Sequence, residues 1–270
     1  MRIRRLGWAG IELEADGQTA LIDVLQDVTP LAAFVGEPRD SLPPPTPEAS
    51  VALVTHLHSD HCDPSAIAAA LAPDGVLLRP APSTTDDFIE DAALIPAEKG
   101  LAAVDVASRI VEPWQTLAVG PFEITALPAA DGLGDPQISW IVAADGQRVA
   151  HFGDTLFHGW WWRFALRYGP FDVVFLPVNG AVVNFPHRQP PSPLPADLDP
   201  RQASVAAAAL GAREAVPIHH TTLHHPPIYA EVDAPVGTFV AEAAERGVAT
   251  RVLEPGEGFE LSVKEGRSAA

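Results

Sequence analysis

Short apolar runs, each closed by a turn signal, set the rhythm of the chain. Ile11-Glu12-Leu13-Glu14 alternates, Asp16-Gly17 supplies a turn, and Thr19-Ala20-Leu21-Ile22-Asp23-Val24 returns, which predicts a hairpin. A second hairpin is expected around Asp145-Gly146, between Ile138–Val142 and Arg148–Phe152. Val51-Ala52-Leu53-Val54 and Phe171–Pro177 are nearly continuous apolar segments and read as buried strands. Helical spacing is expected over Ala66–Leu71, with Asp63 as N-cap and Pro64 in the first turn. Further helices are expected at 201–210 and at 236–246, the latter stopped by Gly247. A last strand pair is expected from Thr250 to Val263, around Pro255-Gly256-Glu257-Gly258. Strands precede helices in each half and no break divides the chain, so residues 1–270 read as a single domain. The proline- and acid-rich stretch 36–49 reads as a surface loop.

The chemistry concentrates directly after Val54. Thr55-His56-Leu57-His58-Ser59-Asp60-His61 holds three of the chain's ten histidines and a carboxylate. On extended chain, side chains two apart point the same way, so His56 and His58 can reach one ion together. Asp60 and His61 fall where the strand turns toward the Asp63 cap, and point to a second ion nearby. Imidazole and carboxylate donors suit zinc, and also iron or manganese. The competing reading is a polar loop that merely happens to be rich in histidine.

Net charge is −18, with 35 acidic against 17 basic residues, which argues against a nucleic-acid backbone as substrate. The single cysteine, Cys62, excludes an internal disulfide and fits a reducing compartment. It is either a further ligand or a small residue ahead of a helix cap. No signal-peptide pattern follows Met1-Arg2-Ile3-Arg4-Arg5, and no apolar run approaches the length of a membrane span. A cytoplasmic protein acting on a small molecule is the expectation.

His-x-His-x-Asp-His after an apolar strand resembles the metallo-β-lactamase fold hydrolases. The resemblance extends to Gly153-Asp154-Thr155 and to Pro217-Ile218-His219, which follow in the family's order. Together with Pro177-Val178-Asn179-Gly180, these motifs look most like the branch that includes the ascorbate phosphate lactonase. The implied fold is α/β, a four-layer αβ/βα sandwich. The implied ligands are His56, His58 and Asp131 for one ion and Asp60, His61 and His219 for the other, with Asp154 between them. Asp131 stands where the family usually has a histidine after Pro-Ala-x. It either serves as a harder ligand, biasing that site toward manganese or iron, or leaves the site weak.

The implied activity is hydrolysis of a small ester, lactone or phosphoester by hydroxide generated between two ions, zinc foremost, about 3.5–4 Å apart. Asp60 and Asp154 would act in catalysis as well as in binding, and His220 or His224 would protonate the leaving group. His224 and His225 are otherwise solvated loop residues. Trp160-Trp161-Trp162 is either core packing or an aromatic pocket wall, with His158, Arg163 and Arg167 as anion-binding candidates or as surface pairs for acids. The proline-rich run 186–200 reads as a long loop over the active-site face, a lid or a solvated excursion. Alternatives are a mononuclear or non-catalytic metal-binding protein, or a di-iron redox protein. The acidic surface and the fold's frequent self-association are compatible with a homo-oligomer.

Overall fold

A computed structural model describes residues 1–82 and 88–261, with the backbone alone over 88–93. In chain order the first half runs β1 (Arg2–Arg5), β2 (Ile11–Ala15), β3 (Gln18–Ile22), α1 (Ala32–Val35), β4 (Ala49–Leu53), α2 (Pro64–Ala70), β5 (Leu71–Arg79), α3 (Phe88–Ala103) and β6 (Ala107–Ile110). The second continues β7 (Thr116–Val119), β8 (Phe122–Pro128), β9 (Ile138–Ala144), β10 (Gln147–His151), α4 (Trp161–Tyr168), β11 (Val173–Pro177) and β12 (Val182–Val183). It ends with α5 (Pro200–Leu210), β13 (Glu214–Ile218), β14 (Tyr229–Ala230), α6 (Pro235–Glu245), β15 (Ala249–Thr250) and β16 (Gly258–Glu260).

Two seven-stranded sheets result, in the orders β16-β1-β2-β3-β4-β5-β6 and β15-β13-β11-β10-β9-β8-β7. Each begins as an antiparallel meander and turns parallel where helices enter the connections, from β3 to β6 and from β10 to β15. The expected hairpins form, and Asp16-Gly17 and Asp145-Gly146 all take positive φ, the requirement of a type I′ turn.

Strand periodicity then builds four layers. Val51 and Leu53 of β4 face a central core between the sheets, while Ala52 and Val54 face a second cluster with Ile67 of α2 and Leu94 of α3. On β11, Val173 and Phe175 enter the central core, and Val174 and Leu176 meet Phe164 of α4, Ala207 of α5 and Phe239 of α6. Both strands are apolar throughout because both faces are covered. The architecture is the expected αβ/βα sandwich.

The caps hold as expected. Asp63 Oδ1 accepts from Ala66 N at 3.0 Å at the start of α2. Asp199 and Gln202 form a reciprocal capping box on α5. The expected last strand pair does not form: β15 joins the second sheet beside β13, and β16 joins the first beside β1. The segment between them crosses from sheet to sheet, tied by the buried Arg5 guanidinium donating to Leu253 O at 2.6 Å. Val263 lies outside the described residues.

Candidate metal centre

The C-terminal ends of the central strands converge on one edge of the sandwich, the place where open parallel sheets present ligands. β4 delivers the 55–61 segment, β8 leads to Asp131, β10 to Asp154 and β13 to His219. Two clusters form there. One is His56, His58 and Asp131; the other is Asp60, His61, Asp154 and His219, with donor atoms within 4.8 Å of one another in each. Asp154 faces both: Oδ1 is 3.0 Å from His61 Nε2 and 2.9 Å from His219 Nε2, and Oδ2 is 3.9 Å from His56 Nε2. The seven residues expected to share a metal centre are therefore brought together.

Each imidazole is faced from behind by a polar side chain. His58 Nε2 donates to Asp135 Oδ2 at 2.6 Å, which turns Nδ1 toward His56 Nε2, 2.9 Å away. His61 Nδ1 donates to Asp23 Oδ2 at 2.9 Å. Thr55 Oγ1 donates to the same oxygen at 2.8 Å and accepts from His56 Nδ1 at 3.1 Å. His219 Nδ1 lies 3.1 Å from Asp197 Oδ2. His56, His58 and His61 so keep one nitrogen hydrogen-bonded to the protein and turn the other inward, the arrangement by which outer partners fix the tautomer of metal-binding histidines, while Asp197 faces the outer nitrogen of His219 without a hydrogen bond. The inward Nε2 atoms of His61 and His219, Asp154 Oδ1 and Asp131 Oδ2 are buried without a hydrogen-bond partner. Buried polar atoms in that state call for a partner, and a cation suits donors of this kind.

The charges of the centre's side chains compensate one another. Burial disfavours protonation of His61 and His219, yet Asp154 with the other nearby carboxylates raises both well above the ordinary histidine value. Asp154 and Asp60 are held well below the ordinary carboxylate range by those imidazoles, against the penalty of burial. Burial, then His61 and His58, pushes His56 well down. Burial, with the charge of Asp135 added, lifts Asp131 to about 6 against the pull of His58. Divalent ions would displace protons from these imidazoles and take up the charge of the carboxylates.

Backbone geometry shows how tightly the centre is built. His219, Asp23 and Trp8 all have positive φ, uncommon for residues with side chains. Trp8 packs against the His219 ring, centres 3.8 Å apart and planes tilted by 40°, and donates Nε1–H to Asp60 Oδ2 at 3.1 Å. Gly153 carries φ +55, and a Cβ there would meet Thr55 Oγ1 at 2.7 Å, so only glycine brings the Asp154 turn against the histidine segment. Asp131 Oδ1 accepts from Leu133 N and Gly134 N at 2.9 and 2.7 Å, which leaves Oδ2 for the cluster.

A cavity lies over both clusters. Its floor includes His58, Asp60, Asp131 and Asp154, and its walls are largely apolar, with Leu31, Phe34, Val183 and Phe185 among them. Phe185, His187, Arg188, Ala196 and Asp197 bring the proline-rich loop to that wall. Its placement over the site is as expected.

The remaining candidates lie away from the cavity. His220 does not line the cavity; it is buried near enough to Arg5 to feel its charge. Burial, then that guanidinium, lowers its pKa to about 3. His224 and His225 lie on the exposed turn before β14. Trp161 is buried against Phe152 while Trp162 is exposed, and none of the three tryptophans lines the cavity. Arg163 and Arg167 stack over Trp114, at 5.0 and 5.4 Å from its ring centre. Cys62 belongs to neither cluster, and burial pushes its thiol up to about 12. Asp23, Asp135 and Asp197 escaped the sequence reading because a lone acid after a strand or in a loop carries no spacing signal.

A family model described as the beta-lactamase superfamily domain matches residues 19–220. A UPF0173 metal-dependent hydrolase of Thermococcus kodakarensis is 29% identical over 228 residues, covering 84% of this chain and 88% of that protein. Its counterpart in Pyrococcus horikoshii is 27% identical, covering 97% and 100%. Among solved structures, an isothiocyanate hydrolase from Delia radicum gut bacteria superposes with a TM-score of 0.68 at 18% identity, over 97% of this chain and 100% of that one. CmlA, a diiron beta-hydroxylase from Streptomyces venezuelae, gives 0.71 at 18% identity, over 96% of this chain and 54% of that one.

Proposed function

The chain belongs to the beta-lactamase superfamily as a metal-dependent hydrolase, and from that premise we propose a dinuclear enzyme that cleaves an ester or lactone with an apolar body. The observation that carries this reading is the set of four imidazoles, three braced by outer hydrogen bonds and His219 faced by Asp197, whose inner nitrogens and the two oxygens of Asp154 converge beneath one cavity. His56, His58 and Asp131 would hold one ion, and Asp60, His61 and His219 the other, with Asp154 shared. Zinc fits these donors; each half also offers two imidazoles and a carboxylate, which manganese and iron accept.

Bound ions would polarise the scissile carbonyl and lower the pKa of water to about 7. The protein's part is orientation. Asp154 keeps the two halves in register, and Trp8 fixes Asp60 through Oδ2 so that its other oxygen can align the attacking water. Phe34 and Phe185 form an edge-to-face pair with ring centres 5.7 Å apart, a wall suited to an acyl chain. Arg188, the cationic side chain on the wall, already donates to Leu133 O and lies 3.8 Å from Asp135. Away from the candidate metal ligands the wall is largely apolar, so a compound with an acyl body is favoured.

The test pairs metal analysis by mass spectrometry with hydrolysis assays on medium-chain esters, lactones and phosphoesters. About two ions per chain and turnover of the acyl compounds are expected. One ion or fewer, or turnover of phosphoesters alone, overturns the reading. A redox role rests on the donor set of each half. Tightly held iron with a visible absorption band, and no hydrolysis, would establish it instead.

A further inference from the structure

Tyr229 has no place in the ligand set, yet it stands at the cavity. It is 7% exposed and lines the wall with Asp60, Asp154 and Asp197. Its position is set by the small ribbon in which β14 pairs antiparallel with β12, Val183 opposite Tyr229. Asn179, fully buried after β11, donates Nδ2–H to the phenolic oxygen at 2.8 Å. Val232 N in turn donates to the Asn179 backbone carbonyl at 2.9 Å, while Asn179 Oδ1 is buried without a hydrogen-bond partner. The phenol therefore accepts from the protein, and its own proton meets no acceptor among the described residues. A buried hydroxyl in that state has a proton to give to whatever enters the cavity.

We propose that Tyr229 is a catalytic residue that passes its phenolic proton to the leaving-group oxygen, and that Asn179 is the positioning residue that aims it. This rests on the reading of the site as an ester or lactone hydrolase. Water adds to the carbonyl carbon and releases one proton to the Asp60 carboxylate. The bond from that carbon to the leaving oxygen breaks, and its electron pair stays on the oxygen. That oxygen takes the proton of Tyr229, and the phenolate regains one from the proton that Asp60 received. A tyrosine phenol, with an ordinary pKa of about 10, is protonated at neutral pH. Such a weak acid serves an alkoxide and adds nothing for a leaving group that departs as a stable anion.

The experiment compares an ethyl ester with a 4-nitrophenyl ester of one medium-chain acid, on the metal-loaded full chain. Tyr229→Phe should lower kcat about 10²–10⁴-fold on the ethyl ester, the range for a positioned general acid. On the 4-nitrophenyl ester the change should stay within about threefold, with metal content unaltered. Asn179→Asp, whose carboxylate would accept the phenolic proton, should reproduce the same split, and it serves if Tyr229→Phe does not fold. Equal losses on both esters, or none on either, overturn the role of Tyr229 while leaving the hydrolase reading in place. No turnover of either ester by the unaltered, metal-loaded protein overturns both.

Discussion

Asp135 Oδ2 stands 2.6 Å from His58 Nε2, and three residues of one loop separate the ligand candidate Asp131 from this brace. The loop supplies one acid to the floor and another to the ring that the first acid faces. Removing the brace frees the His58 tautomer. Asp135→Ala should weaken the first ion about 10- to 100-fold, read by competition against a chromogenic chelator. Unchanged affinity would mean that the hydrogen bond has no bearing on metal binding.

Asp154 is the one carboxylate placed to serve both halves. Asp154→Asn keeps the shape and removes the charge. Hydrolysis should be abolished and both ions should bind more weakly. Full activity in that variant would sink the two-ion mechanism.

Asp131 sets the character of the first half. Asp131→Ala should lower the metal content from about two ions per chain to about one, while Asp131→His should raise the preference for zinc over manganese. Both are read by mass spectrometry after dialysis against equal amounts of the two metals. Indifference to either change would show that this half does not hold an ion.

Much of this centre was legible as letters because ligand spacing survives translation into sequence. His56 and His58 share one face of extended chain, and Gly153-Asp154-Thr155 ends a hairpin strand that patterning alone locates. The braces were not legible. Asp23 acts from the end of β3 on two rings at once, and Asp197 reaches His219 across the proline-rich loop. Such pairings come from sheet order and loop path, which local periodicity does not encode. The Pro217-Ile218-His219 spacing, by contrast, did mark His219, and the structure places it in the second cluster.

The buried face of His158 stacks on Trp161 at 4.3 Å, and burial lowers its pKa to about 4. The folded value lies below the unfolded one, so its contribution to stability is present above about pH 6.5 and is lost as pH falls toward 4. His158→Phe should flatten the decline in denaturant midpoint across that window. An unaltered slope would assign acid sensitivity elsewhere.

Phe185 and Phe34 form the apolar wall. Phe185→Ala should raise KM for medium-chain esters about tenfold and leave acetate esters nearly unaffected. Equal effects on both would place the acyl chain in another part of the cavity.

Each half of the centre draws donors from both sheets: His56 and His58 with Asp131, and Asp60 and His61 with His219. An ion seated there is a rivet through the sandwich, and its binding energy becomes resistance of the two leaves to parting. At a free concentration one hundred times the dissociation constant, a single ion adds about 2.7 kcal/mol. The lifetime of the folded chain is thereby coupled to the metal supply of its surroundings. Starvation for metal would thin the enzyme's population as well as silence it.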